Sequence, residues 1–389
     1  MNKVLFKIRA LGMGGIERLT VDILNNLKLE NREIILMIEN EEEKVLDKQL
    51  SPEIKKVYLK PKWFNSLLNK VKNKKRNIFE KIYYNFLLYL ERYILSHSIN
   101  KYIKNHKETK LFVDYDGGST KYIHRIKNVK KIMWQHMSIS KMSKGKRKRY
   151  GKRLTKYNLI ISICDEMKEE LLDNYPFLRS KVKRIYNFID VNKILEKISS
   201  NTKKDLSLEN GYCISIGRLA EPKDYLTTIK AFEILKKQGI SEKLYIVGDG
   251  QDKDKLKKII KDKKLENQIF LLGMKENPYV LLKNADIFIH SSKLEGFGLV
   301  LLEAFSCKVP VISSKYKCGA VEILVNGKNG KIFEIGDYKQ LAKDIEEILN
   351  DKKLQEKYIK NGLEFLEYFS KNKILKEYKE LLEEYSSNE

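Results

Sequence analysis

A strand, a glycine turn and a helix follow one another between residues 285 and 305. The apolar run from Ala285 to His290 predicts a buried strand. Gly296 and Gly298 then allow a sharp turn and a close approach of the backbone to a ligand. The apolar spacing from Leu299 predicts a helix, whose free N–H groups and dipole favour a phosphate at its start. This succession is typical of α/β proteins with doubly wound parallel sheets.

Two carboxylates accompany the turn. Glu295 lies within it, and Glu303 is predicted about two helical turns into the helix. A single acid on a helix is usually a solvated surface residue. Glu303 instead interrupts an apolar helix and stands beside a glycine pair and a second acid. We therefore interpret both carboxylates as ligand contacts.

The Glu-x7-Glu pattern in an EGFG context resembles the retaining glycosyltransferases of family 4, which have the GT-B fold. The resemblance implies that Glu295 faces the donor sugar and that Glu303 accepts hydrogen bonds from the nucleotide ribose. It also favours a UDP-sugar as donor. The resemblance is strong over residues 211–333, moderate over 1–30 and 130–190, and nearly absent over 40–110.

The segment GRLAEPKDY, which follows a predicted strand, matches two cations of the same family. There an arginine and a lysine bind the donor diphosphate, which implies this role for Arg218 and Lys223 and the stabilisation of charge on the leaving nucleotide. The alternative is two solvated surface cations. The resemblance also implies donor contacts at Gly217, Gly273, Met274, Gly296, Phe297, Gly298 and Leu299.

A glycine loop follows the first predicted strand, Val4–Ile8. Glu17 stands where a dinucleotide-binding GxGxxG motif needs its third glycine, so a dinucleotide site is improbable. The loop resembles the GG-x-E-R segment of family 4, which implies that Gly14 and Gly15 face the donor. A tight strand-to-helix turn explains the two glycines equally well.

The N-terminal half offers three further candidates at the ends of predicted strands. His136 follows the strand that begins at Lys131, and the resemblance implies that it lies near the reacting sugar. Asp116 and Gly117 are expected in a turn on the acceptor side. Asp114 and Asp116 form a DxD-like triplet, but the C-terminal motifs supply a different phosphate site. We therefore expect no metal and no cofactor.

The alternating strands and helices predict an α/β GT-B architecture of two Rossmann-like domains, whose parallel sheets face an interdomain cleft. A Lys/Ser/Asn-rich stretch without strand pattern, about 190–208, is the expected linker. The predicted N-terminal acceptor-side domain is 1–192, with a C-terminal helix of about 371–389 packing back on it. The predicted nucleotide-sugar domain is 208–370.

Charge is concentrated in residues 60–107, which hold twelve Lys/Arg and two acids among many aromatic residues. Such a helix can lie on an anionic bilayer, but an ordinary core helix with a lysine-rich outer face explains it equally well. A second basic cluster spans 141–153. The chain has a net charge of +25, no apolar run long enough for a membrane span and no signal-peptide pattern.

The expected function is retaining, metal-independent transfer of a hexose-type sugar to a membrane-associated or lipid-linked glycan. This activity belongs to the synthesis of cell-surface polysaccharides such as capsule or lipopolysaccharide. The expected location is the cytoplasm, peripheral on the inner face of the cytoplasmic membrane. An anionic membrane surface is an expected partner, and nucleic acid is not.

Two rival functions are compatible with parts of the sequence. The charge of +25 would suit a nucleic-acid-binding protein, but that function leaves the C-terminal motifs without a purpose. A UDP-sugar epimerase of the same fold would bind a donor without transferring it. Such epimerases use a different set of acids and histidines and lack the EGFG…E pattern.

Overall fold

A computed structural model describes residues 1–12, 14–74, 77–200 and 211–387 of the chain. The chain divides into two compact units, which we call unit 1 (Met1–Tyr186 with Ile374–Glu389) and unit 2 (Asn187–Lys373). The stretch interpreted as a linker lies partly outside the described residues. Its described part includes a helix, Val191–Ser199, that belongs to unit 2.

Unit 1 is built on a sheet of seven strands, all of them parallel. The strands are β1 (Asn2–Ile8), β2 (Arg32–Ile38), β3 (Lys55–Tyr58), β4 (Thr109–Asp114), β5 (Lys130–Gln135), β6 (Leu159–Ser162) and β7 (Val182–Arg184). Their order is β3-β2-β1-β4-β5-β6-β7. The central strands are buried because helices cover both faces of such a sheet. These helices are α1 (Gly15–Asn26), α2 (Lys62–Lys74), α3 (Ile78–Asn105), α4 (Lys144–Leu154) and α5 (Asp165–Asn174).

Unit 2 is built on a parallel sheet of six strands. They are β8 (Cys213–Ile216), β9 (Leu244–Val247), β10 (Ile269–Gly273), β11 (Ile287–His290), β12 (Val311–Ser314) and β13 (Lys331–Phe333). The order is β10-β9-β8-β11-β12-β13. The helices are α6 (Val191–Ser199), α7 (Tyr225–Lys237), α8 (Lys253–Asp262), α9 (Tyr279–Lys283), α10 (Leu299–Ser306), α11 (Ala320–Ile323), α12 (Tyr338–Asn350) and α13 (Lys352–Phe365).

The last helix, α14 (Lys371–Ser386), packs on unit 1 through an aromatic contact. The ring of Tyr378 stacks on Trp134 with centroids 5.1 Å apart, and its hydroxyl lies 3.3 Å from that of Tyr115. At the far end of the helix, the side chain of Asn2 donates to the Ser386 carbonyl over 3.1 Å. These contacts hold the C-terminal segment against the strands of unit 1.

Helix α3 has one buried face and one exposed apolar face. Its second half packs into the unit 1 core through Leu95, Ile99 and Ile103, and Leu87 packs with Phe64 of α2. Seven large apolar side chains are 46–78% exposed along its first sixteen residues. We call them the aromatic stripe: Ile78, Phe79, Ile82, Tyr83, Phe86, Tyr89 and Tyr93. These side chains are therefore not core residues. Among the described residues, no helix has the length and apolar character needed to cross a membrane.

A fully buried lysine organises the centre of the unit 1 sheet. Lys7 in β1 has no exposed side-chain area, and its Nζ lies 2.7 Å from Glu39, 2.9 Å from Asp116 and 3.8 Å from Asp114. Burial alone would lower the pKa of Lys7, but the neighbouring acids raise it well above its ordinary value. Tyr157 donates to Asp114 over 2.6 Å, and burial raises the pKa of Asp114 to about 7. The cluster is therefore an internal ion network that links β1, β2 and β4.

We expect Lys7→Met to lower the free energy of unfolding of unit 1 by about 3–5 kcal/mol. The substitution leaves buried carboxylates without their cation, which costs far more than losing a surface ion pair. The measurement is urea unfolding at pH 7. The control is Lys3→Met in the same strand, whose Nζ lies 2.6 Å from Glu108 near the surface and whose loss should cost less than about 1 kcal/mol. Equal losses in the two variants would contradict the assignment.

Candidate functional site

The sheet of unit 2 reverses its strand order between β8 and β11. The chain proceeds from β8 to β9 and β10 on one side, and it continues from β11 to β13 on the other. At such a reversal the connections diverge and leave room for a ligand at the carboxyl ends of the strands. Lys223 lies in the segment after β8, and Glu295 lies in the segment after β11. The topology therefore brings these two predicted site residues together.

Hydrogen bonds fasten these two segments to each other. Ser291 Oγ donates to the carbonyl of Lys223 over 3.0 Å, and Ser292 Oγ donates to the carbonyl of Pro222 over 2.9 Å. The N–H of Lys293 donates to the same Pro222 carbonyl over 2.7 Å. The backbone on both sides of the crevice is thus fixed before any ligand arrives.

Glu295 is the electrostatic centre of this crevice. Lys223 Nζ donates to its Oε1 over 2.5 Å, and His290 Nε2 lies 3.0 Å from the same oxygen. Burial would raise the pKa of Glu295, but the contacts with His290 and Lys223 lower it to about 2. Burial lowers the pKa of His290 in spite of the adjacent carboxylate. Glu295 is therefore a carboxylate at neutral pH and a weak base.

Two glycines allow the turn before α10 to pack closely, one within the turn and one in the segment before α11. Gly298 caps the helix with φ +93°, and a Cβ there would come within 1.9 Å of the Tyr316 hydroxyl. Gly319 has φ +147°, and its Cβ would lie 2.0 Å from the carbonyl of Phe297. Tyr316 also donates to that carbonyl over 3.0 Å. The crowding places the start of α10 beside Glu295 with its first N–H groups directed toward the turn.

Glu303 is half-buried on α10 and has a partner within unit 2. It is the fifth residue of the helix, just over one turn from its start, so the predicted depth of two turns was wrong. The hydroxyl of Tyr279 donates to Glu303 Oε1 over 3.0 Å. This bond orients the carboxylate of Glu303 on α10.

The other predicted donor contacts differ in their exposure. Arg218 is exposed directly after β8, and Gly217 lies so close to Lys223 that a Cβ would sit 3.4 Å from its Cε. Gly273 has φ +71° with open space where a Cβ would be, and Met274 is 64% exposed. These residues surround the carboxyl ends of β8 and β10.

Three predicted contacts belong to the turn itself. The ring of Phe297 is 2% exposed and lies 5.6 Å from that of Phe369, so its side chain is a packing residue of unit 2. Gly296 and Leu299 are half-buried on either side of it. Their main-chain groups are what the turn can present to a ligand.

The carboxyl edge of the unit 1 sheet has a similar reversal between β1 and β4. Gly14 follows β1, and Asp116 and Gly117 follow β4. Asp116 Oδ1 accepts from Lys7 and from the Gly118 N–H over 3.0 Å. Gly117 has φ +66°, with a Cβ position 3.3 Å from the Trp134 carbonyl. Both acceptor-side candidates therefore have structural roles within unit 1.

His136 follows β5 and is buried. Its Nε2 lies 2.7 Å from the carbonyl of Tyr115, so this nitrogen carries the proton and Nδ1 is the free acceptor. Burial lowers the pKa of His136 to about 4. The imidazole is therefore neutral at pH 7 and suited to hydrogen bonding rather than to carrying positive charge.

The glycine loop of unit 1 does not need its second glycine for steric reasons. Gly14 is the N-cap of α1 with φ −81°, and a Cβ there would meet only the flexible end of Glu17. A Cβ on Gly15 would meet nothing within 4 Å. The strand-to-helix turn alone does not explain Gly15, whose open side leaves the start of α1 accessible. Met13 lies outside the described residues.

The sequence analysis missed four residues near the carboxyl edges of the two sheets: His290, Tyr279, Tyr316 and Lys7. His290 had a usable signal, since it ends a strand at the carboxyl edge. Tyr279 and Tyr316 act through distant partners and carry no local pattern. In the described part of the chain, no three His, Cys, Asp or Glu side chains are grouped so that they could hold a metal ion.

Comparisons with known proteins find glycosyltransferases among the proteins that are similar to this chain. Residues 197–365 match the family model of glycosyl transferases group 1. A Campylobacter jejuni N-acetylgalactosamine-N,N'-diacetylbacillosaminyl-diphospho-undecaprenol 4-alpha-N-acetylgalactosaminyltransferase is 31% identical over 57% of this chain and 59% of its own. The lipopolysaccharide core biosynthesis glycosyltransferase LpsE of Rhizobium meliloti is 28% identical over 52% of this chain and 58% of its own. The chain thus spans less than two thirds of these relatives.

Solved structures match over the full chain. A glycosyltransferase from Rickettsia africae has a TM-score of 0.77 at 21% identity and covers 100% of this chain and 99% of its own. Anabaena HepE in complex with UDP has a TM-score of 0.75 at 19% identity, with 99% and 100% coverage. These likenesses and the two parallel sheets confirm the predicted fold class, GT-B with two Rossmann-like domains.

The Glu295 contacts predict a pH-dependent contribution to stability. The pKa is lowered from 4.5 to about 2, so the contribution is complete above pH 4.5 and is lost as the pH falls toward 2. Glu295→Gln should cost unit 2 up to about 3 kcal/mol at pH 7 and about half of that at pH 3.

Urea dependence of hydrogen exchange at the β11 and α10 amides measures this loss. The exposed residue Glu364 supplies the control, because Glu364→Gln should change little at either pH. A Glu295→Gln deficit that stays constant between pH 7 and pH 3 would show that the carboxylate is not stabilised as described.

Proposed function

We propose that the chain is a retaining, metal-independent glycosyltransferase that moves a hexose-type sugar from a UDP-sugar to a glycan acceptor. The observation that carries the proposal is the Lys223–Glu295 contact at the strand-order reversal of unit 2, beside the start of α10. The match of residues 197–365 to glycosyl transferases group 1 supports it. So does HepE, a protein of similar fold that was solved with UDP.

The donor diphosphate would bind where positive groups converge. Lys223 supplies an ammonium, Arg218 a forked guanidinium, and α10 the N–H groups of its first turn. In the absence of donor, Glu295 holds Lys223 in place. A diphosphate would provide a second anion for this lysine. The arrangement stabilises the charge that develops on the leaving nucleotide.

Glu303 is the proposed ribose contact. Tyr279 donates to this carboxylate and orients it, and the hydroxyls of the ribose would donate to the same carboxylate. Gly273 and Met274, beyond β10, are the proposed contacts of the base. Gly14 and Gly15 are the proposed donor contacts of unit 1.

Retention would follow a front-face substitution. The acceptor oxygen bonds to the anomeric carbon on the face that the diphosphate leaves, and the departing phosphate oxygen takes the acceptor proton. Glu295 is a weak base engaged by Lys223 and His290, which favours holding sugar hydroxyls over nucleophilic attack. Nδ1 of neutral His136 is the proposed hydrogen-bonding group toward the sugar, and Asp116 and Gly117 mark the acceptor side.

The acceptor is proposed to be a lipid-linked or membrane-anchored glycan of cell-surface polysaccharide synthesis. The Campylobacter relative carries diphospho-undecaprenol in its name, and the Rhizobium relative is a lipopolysaccharide core enzyme. On this chain, the aromatic stripe exposes Phe79 by 78% and Ile82 by 59%, and the same helix carries Lys81 and Arg92. An apolar face with flanking cations suits an anionic bilayer. The protein would therefore act in the cytoplasm, peripheral on the inner face of the cytoplasmic membrane.

Removing the ribose contact should weaken nucleotide binding without unfolding unit 2. Glu303→Gln should raise the Kd for UDP by about tenfold or more, because hydrogen bonds to a charged group contribute about 1.5–3 kcal/mol. Titration calorimetry with UDP and with UDP-sugars measures the change. Glu364→Gln is the matched control. Unchanged UDP affinity and unchanged transfer activity in the Glu303 variant would refute the assignment.

The stripe can be tested apart from the chemistry. The triple variant Phe79→Ser, Ile82→Ser and Phe86→Ser should lose at least tenfold in partition onto phosphatidylglycerol vesicles, because each side chain contributes apolar area on insertion. UDP binding should be unchanged. The control is Phe177→Ser, which removes an aromatic side chain of unit 1 that is 61% exposed outside α3. If the triple variant floated with the vesicles as well as the wild type does, binding to the bilayer through the aromatic stripe would be ruled out.

A further inference from the structure

A groove of about 1020 Å³ opens on unit 1 between the second half of α3 and the segment that leads into β5. Thr109, the first residue of β4, and Asn128, just before β5, both line it. The groove therefore lies at the amino ends of the strands. Lys7, Asp116 and His136 belong to the opposite edge of the sheet and are not part of it.

The lining of the groove is cationic. It contains Lys104, Lys107, Arg125 and Lys127, and none of the residues that line it is an aspartate or glutamate. In a chain with 52 acids, a groove of this size without one favours an anionic ligand.

Arg125 is held in a fixed position with unused donor capacity. Its guanidinium carbon lies 5.0 Å from the centroid of the Tyr89 ring. Asn100 donates to the Arg125 carbonyl over 2.8 Å and accepts from the Lys127 N–H over 3.2 Å, which fixes the segment. Nη1 of Arg125 and Oγ1 of Thr109 are buried without a hydrogen-bond partner among the described residues. Both residues line the groove, and unpaired buried polar atoms of this kind are expected where a ligand supplies the missing acceptor.

We propose that this groove binds the phosphate of an anionic phospholipid, with Arg125 as its principal donor. A guanidinium stacked on an aromatic ring and short of acceptors is suited to a phosphate, which accepts two parallel hydrogen bonds. Thr109 Oγ1 supplies a further donor, and Lys104, Lys107 and Lys127 supply the surrounding positive field.

The aromatic stripe favours a lipid over a soluble phosphate ester as the ligand of the groove. Tyr89 and Tyr93 line the groove and also end the stripe, which continues along α3 through Phe86 and Ile82 to Phe79. From Phe79 to Tyr93 the helix rises about 21 Å. A soluble ester would use the cations and leave this apolar row in water. A headgroup joined to acyl chains uses both, so the groove fixes the orientation of α3 on the bilayer.

The inference rests on the membrane part of the proposed function and is tested separately from it. Arg125→Gln should weaken binding to phosphatidylglycerol vesicles about tenfold, since a charge-assisted, forked hydrogen bond is lost. Arg125→Lys keeps the positive charge but not the forked guanidinium, so this variant should also bind phosphatidylglycerol vesicles several-fold more weakly. The control variant Arg179→Gln removes an exposed arginine of unit 1 outside the groove, and its affinity for the vesicles should fall less than twofold. Phosphatidylcholine vesicles give the binding that does not depend on an anionic headgroup.

Thermal unfolding and UDP affinity, measured on the same variants, should be unchanged. Equal losses in the Arg125→Gln and Arg179→Gln variants, or wild-type binding by Arg125→Lys, would reduce the groove to general surface charge and overturn the proposal. Arg125-dependent binding of glycerol phosphate as strong as that of vesicles would overturn the lipid as the source of the phosphate. A chain that binds no UDP-sugar but loses vesicle binding with Arg125→Gln would refute the transferase and support the headgroup site.

Discussion

The contact between Lys223 and Glu295 joins the two loops that diverge from the centre of the unit 2 sheet. A doubly wound parallel sheet must reverse its strand order somewhere, and there the loops leave polar backbone and side chains facing open space. In unit 2 the serines after β11 close part of this gap by bonding to the backbone after β8. Beyond these bonds, Lys223 and His290 contact the carboxylate of Glu295 and link the two loops through their side chains. The site is thus a consequence of topology, completed by a few side chains.

The unit 1 sheet also reverses its strand order, between β1 and β4, but there side chains of the protein itself occupy the space. Lys7 is wholly buried among Glu39, Asp114 and Asp116, whereas the side chains of Lys223 and Glu295 are 23% and 15% exposed. The fully buried ammonium of Lys7 contributes to the integrity of the sheet, because it cannot be separated from its acidic partners without leaving a buried charge unpaired. A partly exposed pair can exchange partners at much lower cost. This difference in burial explains why we place the diphosphate on unit 2 and expect Asp116 to hold its position when ligand binds.

Strand positions and the fold class could be predicted because apolar runs alternate with helical spacing along most of the chain. Glu295 could be singled out because it stands in a glycine turn after a predicted strand, and Lys223 because the segment GRLAEPKDY resembles that of family 4 glycosyltransferases. Lys7 could not be singled out, since a lysine within a short apolar strand only interrupts the apolar pattern until its acidic partners, which come from two distant segments, are known. The predicted start of α10 at Leu299 agrees with the structure, but Glu303 is only four residues beyond it, which is just over one helical turn and not two. The sequence could not show whether the face of α3 that carries Phe79 and Tyr89 is buried or exposed, because the helical spacing of apolar residues is the same in both cases.

The net charge of +25 could be interpreted only after the structure showed which cations are paired with acids and which are clustered. In unit 2 many lysines are paired, as Lys331 is with Glu347 over 2.7 Å. In unit 1, burial and then the nearby cations Arg92 and Arg153 lower the pKa of Lys121, although these three belong to separate segments. Like charges gathered by folding cost stability unless an outside anion compensates them. The cationic groove beside Arg125 and the stripe of α3 lie on the same unit, so a single anionic, partly apolar surface would relieve the repulsion and cover the exposed rings together.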